Sequence, residues 1–161
     1  MKLKFLLPVY VMVCSCNENK ISDNKPKLVL EQTTTFSKTN TSEIHKLYIK
    51  YIKENNIKQY NNISVDAILS GRMEDLLYYS MRMANKNNTP CAYYYIYYAL
   101  SHPRGGVWMD KSDEKTKNIA LYYLVKSYEL GYKDAQADIF NIFGKNQKIE
   151  NSSYYLMEYY K

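Results

Sequence analysis

Few side chains in this chain could carry covalent or metal chemistry. There are two histidines, His45 and His102, and three cysteines, Cys14, Cys16 and Cys91. A metal site normally needs three or four ligands at local spacing, and neither histidine has an Asp, Glu or Cys placed that way. His45 sits among lysines, on a helix face expected to be solvated. His102 precedes Pro103 and Arg104 at a predicted helix end, where a cation suits the dipole. Cys91 would be a nucleophile only with a histidine base beside it. Its place at a helix start would lower its pKa, but no histidine stands close in sequence, and a small buried thiol is the simpler reading. Asp113-Glu114 is a carboxylate pair in the first turn of a predicted helix, where it complements the dipole. Gly105-Gly106 lacks the Lys-Ser or Lys-Thr of a phosphate loop. The expectation is a protein that is not an enzyme, with no cofactor and no metal.

Chemistry of another kind is legible at the N-terminus. Residues 1–16 read MKLKFLLPVYVMVCSC. Lys2 and Lys4 form a positive start, and Phe5 to Val13 is an apolar stretch too short to span hydrocarbon as a helix. It suits the central region of a signal peptide. Val13-Cys14-Ser15-Cys16 resembles the lipobox of bacterial lipoproteins, an aliphatic residue, a small residue and then the acylated cysteine. Ser15 favours Cys16 as the lipidated residue, since Cys14 would leave Val13 in the small position. A buried N-terminal strand or a plain secretory signal is the alternative. Residues 17–41 are polar apart from Leu28-Val29-Leu30 and read as a tether with a reach of roughly 25–30 Å. Cys91 is then a lone thiol, so the core must hold by apolar packing alone. Asn17, where enteric-type lipoproteins retained in the inner membrane have Asp, leans towards an outer-membrane anchor facing the periplasm.

Composition sets further bounds. The 161 residues suit one domain with tails, and 46% hydrophobic with 15% aromatic content is too rich for a disordered chain. The net charge of +6 comes from 22 Lys+Arg against 16 Asp+Glu. The charges are scattered and form no basic run of the kind that binds nucleic acid. They fit a weak attraction to anionic membrane or to an acidic partner. The 19 tyrosines have AT-rich codons, as do the plentiful Lys, Asn and Ile. Codon bias and packing are both readings of them.

From residue 42 the pattern is helical. Ile44, Leu47, Tyr48, Tyr51 and Ile52 form one stripe behind a Ser42 cap, broken by Asn55-Asn56 and again by Asn61-Asn62. A short turn over 64–69 ends at Gly71. Met73, Leu76, Leu77, Ser80, Met81 and Ala84 make the next stripe, ended by residues 85–88. Thr89-Pro90 opens a helix over 91–101, whose aromatics cover most of its circumference. Residues 103–113 form a loop. Helices follow over 115–130 with Gly131 at C′, over 134–143, and over 152–160. No strand pattern is present. The fold class is all-α, a short α/α-repeat solenoid of antiparallel helix pairs over 42–161.

A shift of 43 residues, from Leu77 to Ala120, also brings Ala84 onto Ser127, Asn88 onto Gly131, Ala92 onto Ala135 and Ile96 onto Ile139. The repeats span about residues 73–102 and 115–144. Ala120-Leu-Tyr-Tyr123 through Lys126-Ser127-Tyr-Glu129-Leu-Gly131 to Ala135-Gln136 resembles the Sel-one-like repeat. That family has Ala, an aromatic three residues on, Lys-Ala-Ala-Glu-x-Gly and Ala-Gln. Gly105-Gly106-Val107-Trp108-Met109-Asp110 is similar to its Gly-x-Gly-Val-x-x-Asp loop, but the two glycines are adjacent. Extra residues separate Asp110 from Ala120, and Ser127-Tyr128 replace two alanines. The resemblance covers about residues 73–143, most specifically 105–136.

The resemblance implies a tetratricopeptide-related scaffold for protein–protein contact. Stacked helix pairs offer an extended concave binding surface, with the helix at 43–54 and the tail at 152–160 as caps. Tyr and Arg or Trp anchor interfaces, so Arg104, Trp108, Tyr79, Tyr94 and Tyr122 are the candidate partner contacts. The expectation is a lipid-anchored envelope protein that binds a protein partner. Small repeat lipoproteins of this kind look like immunity proteins, which makes an antibacterial toxin one such partner. The alternative is a structural or assembly lipoprotein binding peptidoglycan or an outer-membrane complex.

Overall fold

The structure is a computed structural model and describes residues 41–102, 112–145 and 148–161. The expected signal peptide, the lipidation site Cys16, the tether and most of the 103–113 loop lie outside the described residues. The described chain is all-α, and its helices pack on one another in sequence order. They are α1 (Thr41–Glu54), α2 (Ile57–Leu69), α3 (Met73–Asn87), α4 (Pro90–Ser101), α5 (Glu114–Glu129), α6 (Lys133–Phe143) and α7 (Ser152–Tyr160). Helix α1 packs on α2 and α3, α3 on α4, α4 on α5, and α5 on both α6 and α7.

Local chemistry sets the helix ends. Helix α5 begins at Asp113, whose carboxylate accepts from the Thr116 amide at 2.9 Å, and α2 begins at Asn56, which accepts from the Gln59 amide at 3.2 Å. Helix α5 ends in a Schellman turn, where the Gly131 and Tyr132 amides donate to the Tyr128 and Ser127 carbonyls. Gly131 has φ +84° there, a conformation that any side chain would strain. Asn55 takes the same role after α1 at φ 52°, and Asn88 ends α3 at φ 48°. Asparagine tolerates this region better than most residues.

Two expectations need correction. Asn61-Asn62 do not break a helix, and α2 runs on both sides of them. Tyr60, Ile63, Ser64 and Ala67 form a buried stripe along it, and that burial outweighs the modest helix propensity of asparagine. On α3 the buried stripe is Met73, Leu76, Tyr79, Ser80, Met83 and Ala84, rotated from the expected one. Met81, expected inside, is 41% exposed. Tyr79 takes the interior, where its ring stacks on Tyr48 and its hydroxyl finds a partner in His45.

The internal repeat has structural counterparts. Ala84 and Ser127, Ala92 and Ala135, and Ile96 and Ile139 are all buried. The matched turn residues Asn88 and Gly131 both have positive φ. At the C-terminal end the pattern changes. The Glu129 carboxylate, at the end of α5, accepts from the Ser152 amide at 2.8 Å and its hydroxyl at 2.7 Å. The N-terminus of α7 is thereby tied to the C-terminus of α5, and α7 covers that helix. Among the described residues no helix is long and apolar enough to cross a membrane.

Candidate functional site

The core is built around aromatic crossings. Tyr48 on α1 stacks on Tyr79 of α3 with ring centroids 4.3 Å apart, and its hydroxyl donates to the Ile63 carbonyl of α2 at 3.2 Å. The Tyr60 hydroxyl lies 2.7 Å from Ser80 Oγ, which joins α2 to α3. Ser127 Oγ donates to the Pro90 carbonyl at 2.8 Å, which ties the end of α5 to the start of α4. Burial pushes the hydroxyls of Tyr48 and Tyr60 well up from the ordinary tyrosine range, and those of Tyr95 and Tyr97 up to about 12. The charged form loses its hydration there, and for Tyr48 that loss outweighs the lowering effect of Ser64 and Arg72.

The five residues expected to contact a partner fall in different places. Tyr79 is 2% exposed and belongs to the core rather than to a free surface. Its neighbour Tyr78, 55% exposed, points outward instead. Tyr94 is half-buried, and its hydroxyl donates to the Asp138 carboxylate at 3.1 Å. This links α4 to α6. Tyr122 is half-buried beside Tyr123 on α5. Arg104 and Trp108 lie outside the described residues. The structure therefore does not gather these tyrosines into one patch.

The chemistry-bearing side chains are engaged in packing. Cys91 is buried, and loss of hydration pushes its thiol up to about 11, which overrides the helix-start effect expected from sequence. His45 is not simply solvated: Nδ1 lies 2.6 Å from the Tyr79 hydroxyl and Nε2 lies 3.7 Å from Asp75. His102 stacks on Tyr98 at 4.3 Å and lies 2.9 Å from Ser101 Oγ. Asp138 is raised from the usual carboxylate range, first by burial, against the lowering effect of the Tyr94 hydroxyl. Among the described residues no group of three His, Cys, Asp or Glu side chains could hold a metal ion.

The open feature that sequence reading missed lies between α1 and α3. The two helices run side by side in the same direction. The His45–Tyr79 contact joins them near one end, and Asn87 Nδ2 donates to the Ile52 carbonyl at 3.0 Å near the other. Between them is a groove of about 530 Å³ lined by Ile49, Ile52, Lys53, Arg82, Asn85 and Lys86. Ile52 is buried and forms the floor, while Ile49 on the rim is 48% exposed. The spacing of Ile49, Ile52 and Lys53 on one helix and Arg82, Asn85 and Lys86 on the other was readable. That the two stripes face each other depends on the tertiary packing.

Comparison with protein families, curated proteins and solved structures gives no match to this chain.

Proposed function

We propose that the chain is a non-enzymatic, lipid-anchored protein of the cell envelope that binds a protein partner through its helix pairs. An immunity protein against an antibacterial toxin is the form of that reading we favour. The observation that carries it is the division of labour along the array. The interior of the array is filled by tyrosines, aliphatic side chains and small residues. The α1–α3 face is left open, with apolar and charged side chains side by side. Such a surface suits recognition of another macromolecule. His45 meets Tyr79 across α1 and α3, His102 packs on Tyr98 and Ser101 at the end of α4, and Cys91 is buried, which supports a binding role over a catalytic one. Membrane attachment rests on the lipobox-like run ending at Cys16, and partner recognition on the repeat body.

Two measurements test the reading. Tagged full chain is captured from the envelope of its native host and its partners are identified by mass spectrometry. A stoichiometric protein partner supports the reading, a toxin encoded beside this gene supports the immunity form, and an outer-membrane assembly complex or peptidoglycan points to the structural alternative. If no protein is recovered and the purified chain turns over a substrate, the reading fails. For the anchor, Cys16→Ala should move the protein from the membrane to the soluble fraction. Retention in the membrane would show that the lipid assignment is wrong.

A further inference from the structure

We propose that the groove between α1 and α3 is the docking site for an acidic segment of a partner protein, anchored by an apolar side chain over Ile49 and Ile52. The inference rests on the protein-binding reading above and adds the place and the chemistry of the contact.

The groove joins two properties. Its floor and one rim are apolar, from Ile52 and the 48%-exposed Ile49. Its polar lining is cationic, from Lys53, Arg82 and Lys86, with Asn85 between them. Among the described residues none of the three cations lies in an ion pair with a carboxylate. The Lys86 ammonium is directed at the Lys53 carbonyl at 3.5 Å. The Arg82 guanidinium lies 5.7 Å from the Tyr78 ring centre, and Tyr78 and Met81 extend the exposed stripe of α3. Lys53 and Lys86 stand in the last turns of their helices, where cations complement the dipole. That explains two of the three charges. Arg82, a turn earlier, donates to the Tyr78 hydroxyl at 3.3 Å and keeps its charge without a carboxylate, and the exposed isoleucine beside them has no such explanation.

Charge complementarity selects an acidic occupant. Exposed ion pairs add little affinity by themselves, so the apolar floor would supply most of the binding and the cations the steering and selectivity. The shape decides the class of partner. A planar bilayer cannot reach the Ile52 floor between two helices. A nucleic acid strand needs an extended basic track with stacking aromatics, and this groove offers three cations over about one helical turn of each wall. A side chain from a protein segment fits both the depth and the length.

The test uses the purified full chain in neutral phosphatidylcholine nanodiscs, with the methyl groups of Ile49 and Met81 followed by NMR. The probe is a 12-residue synthetic peptide of alternating Glu and Leu. Controls are the same peptide with Lys for Glu, an oligothymidylate of equal length, and nanodiscs of anionic phosphatidylglycerol without peptide. The expected result is a saturable shift at both methyls with the acidic peptide. The combined change Lys53→Glu, Arg82→Glu, Lys86→Glu should weaken that binding at least tenfold at low salt and by less at high salt, while helical circular dichroism stays unchanged. All three side chains are exposed, so folding should survive. If it does not, Ile49→Ser serves as the second variant and should weaken binding without a charge change. Absence of saturation, equal binding of the lysine peptide, indifference to both variants, or a larger response to the oligonucleotide or anionic lipid would overturn the proposal. If the native partner is captured equally by wild-type and charge-reversed chain, the groove is wrong and the protein-binding reading stands. If no partner is captured at all, the failure belongs to that reading.

Discussion

Raising the pH above 10 should unfold this helical array in a steep, proton-releasing transition. Tyr48, Tyr60, Tyr95 and Tyr97 are each at most 4% exposed. Burial raises all four above the tyrosine reference of 10.0, Tyr95 and Tyr97 to about 12, with Tyr48 and Tyr60 also well above the reference. A group whose folded pKa is raised contributes stability that is fully present below its unfolded value. That contribution is lost as pH climbs from the unfolded value towards the folded one. Above pH 10 the unfolded chain has released these protons and the folded chain still holds them. Each such group then removes about 1.4 kcal/mol of stability per pH unit. Four acting together remove about 5 kcal/mol per unit, against a typical domain stability of about 5–15 kcal/mol. The midpoint should lie about one to three pH units above 10. The assay is far-ultraviolet circular dichroism recorded beside tyrosinate absorbance along an alkaline titration. The buried set should ionise only as helix is lost, and Tyr95→Phe should reduce the steepness by about a quarter. Full tyrosinate absorbance near pH 10 with helicity preserved would refute the claim that these rings are interior packing.

Two further predictions address single contacts. Tyr60→Phe removes the hydroxyl that meets Ser80 and should cost about 1–2 kcal/mol, since Ser80 is left buried without this partner. Tyr60→Phe combined with Ser80→Ala should fall short of the sum of the single losses by about 1 kcal/mol in denaturant melts. Strict additivity would mean that the hydrogen bond adds nothing. Glu129→Ala deletes the carboxylate that receives the Ser152 amide and hydroxyl, with an expected loss of about 1.5–3 kcal/mol as for hydrogen bonds to a charged group. The loss should be local: amide exchange should accelerate across α7 and stay unchanged in α1 to α3, and uniform acceleration would count against a separable cap.

The helices were legible in the sequence because their apolar residues recur at helical spacing and their ends carry strong local signals. Gly131, Thr89-Pro90 and Asp113 all stand at the boundaries that their chemistry predicts. Asparagine was the harder residue, because it has three uses here. Asn55 ends α1 with positive φ, Asn56 caps α2, and Asn61-Asn62 simply ride inside α2. Only the surrounding burial separates those uses. Tyrosine posed the same difficulty on α3. Periodicity places Tyr78 and Tyr79 side by side on the helix circumference, and the buried one is the one that meets Tyr48 and His45 of α1, thirty-one and thirty-four residues away. The α1–α3 groove was illegible for the same reason, since each of its walls reads alone as an ordinary solvated helix face.

That dependence bears on why a chain of this composition folds at all. A genome rich in AT codons supplies tyrosine, lysine, asparagine and isoleucine without regard to position, yet the tyrosines are sorted. Every tyrosine except Tyr10 falls after residue 41. The buried ones meet at helix crossings, where Tyr48 reaches a carbonyl, Tyr60 a serine and Tyr79 a histidine. A ring brings large apolar area with only two rotatable bonds, and a hydroxyl at its far end spans from one helix to the next. Small residues at Ala84, Ala92, Ser127 and Ala135 leave room for such rings between closely packed helices. A Leu-rich core of equal area would lose these interhelix hydrogen bonds and with them part of the register between helices. In this chain the register also sets the groove, which exists only while Ile49 and Lys53 on α1 stay opposite Arg82 and Lys86 on α3. The aromatic crossing of Tyr48 on Tyr79 holds that alignment and so acts on the surface without being part of it.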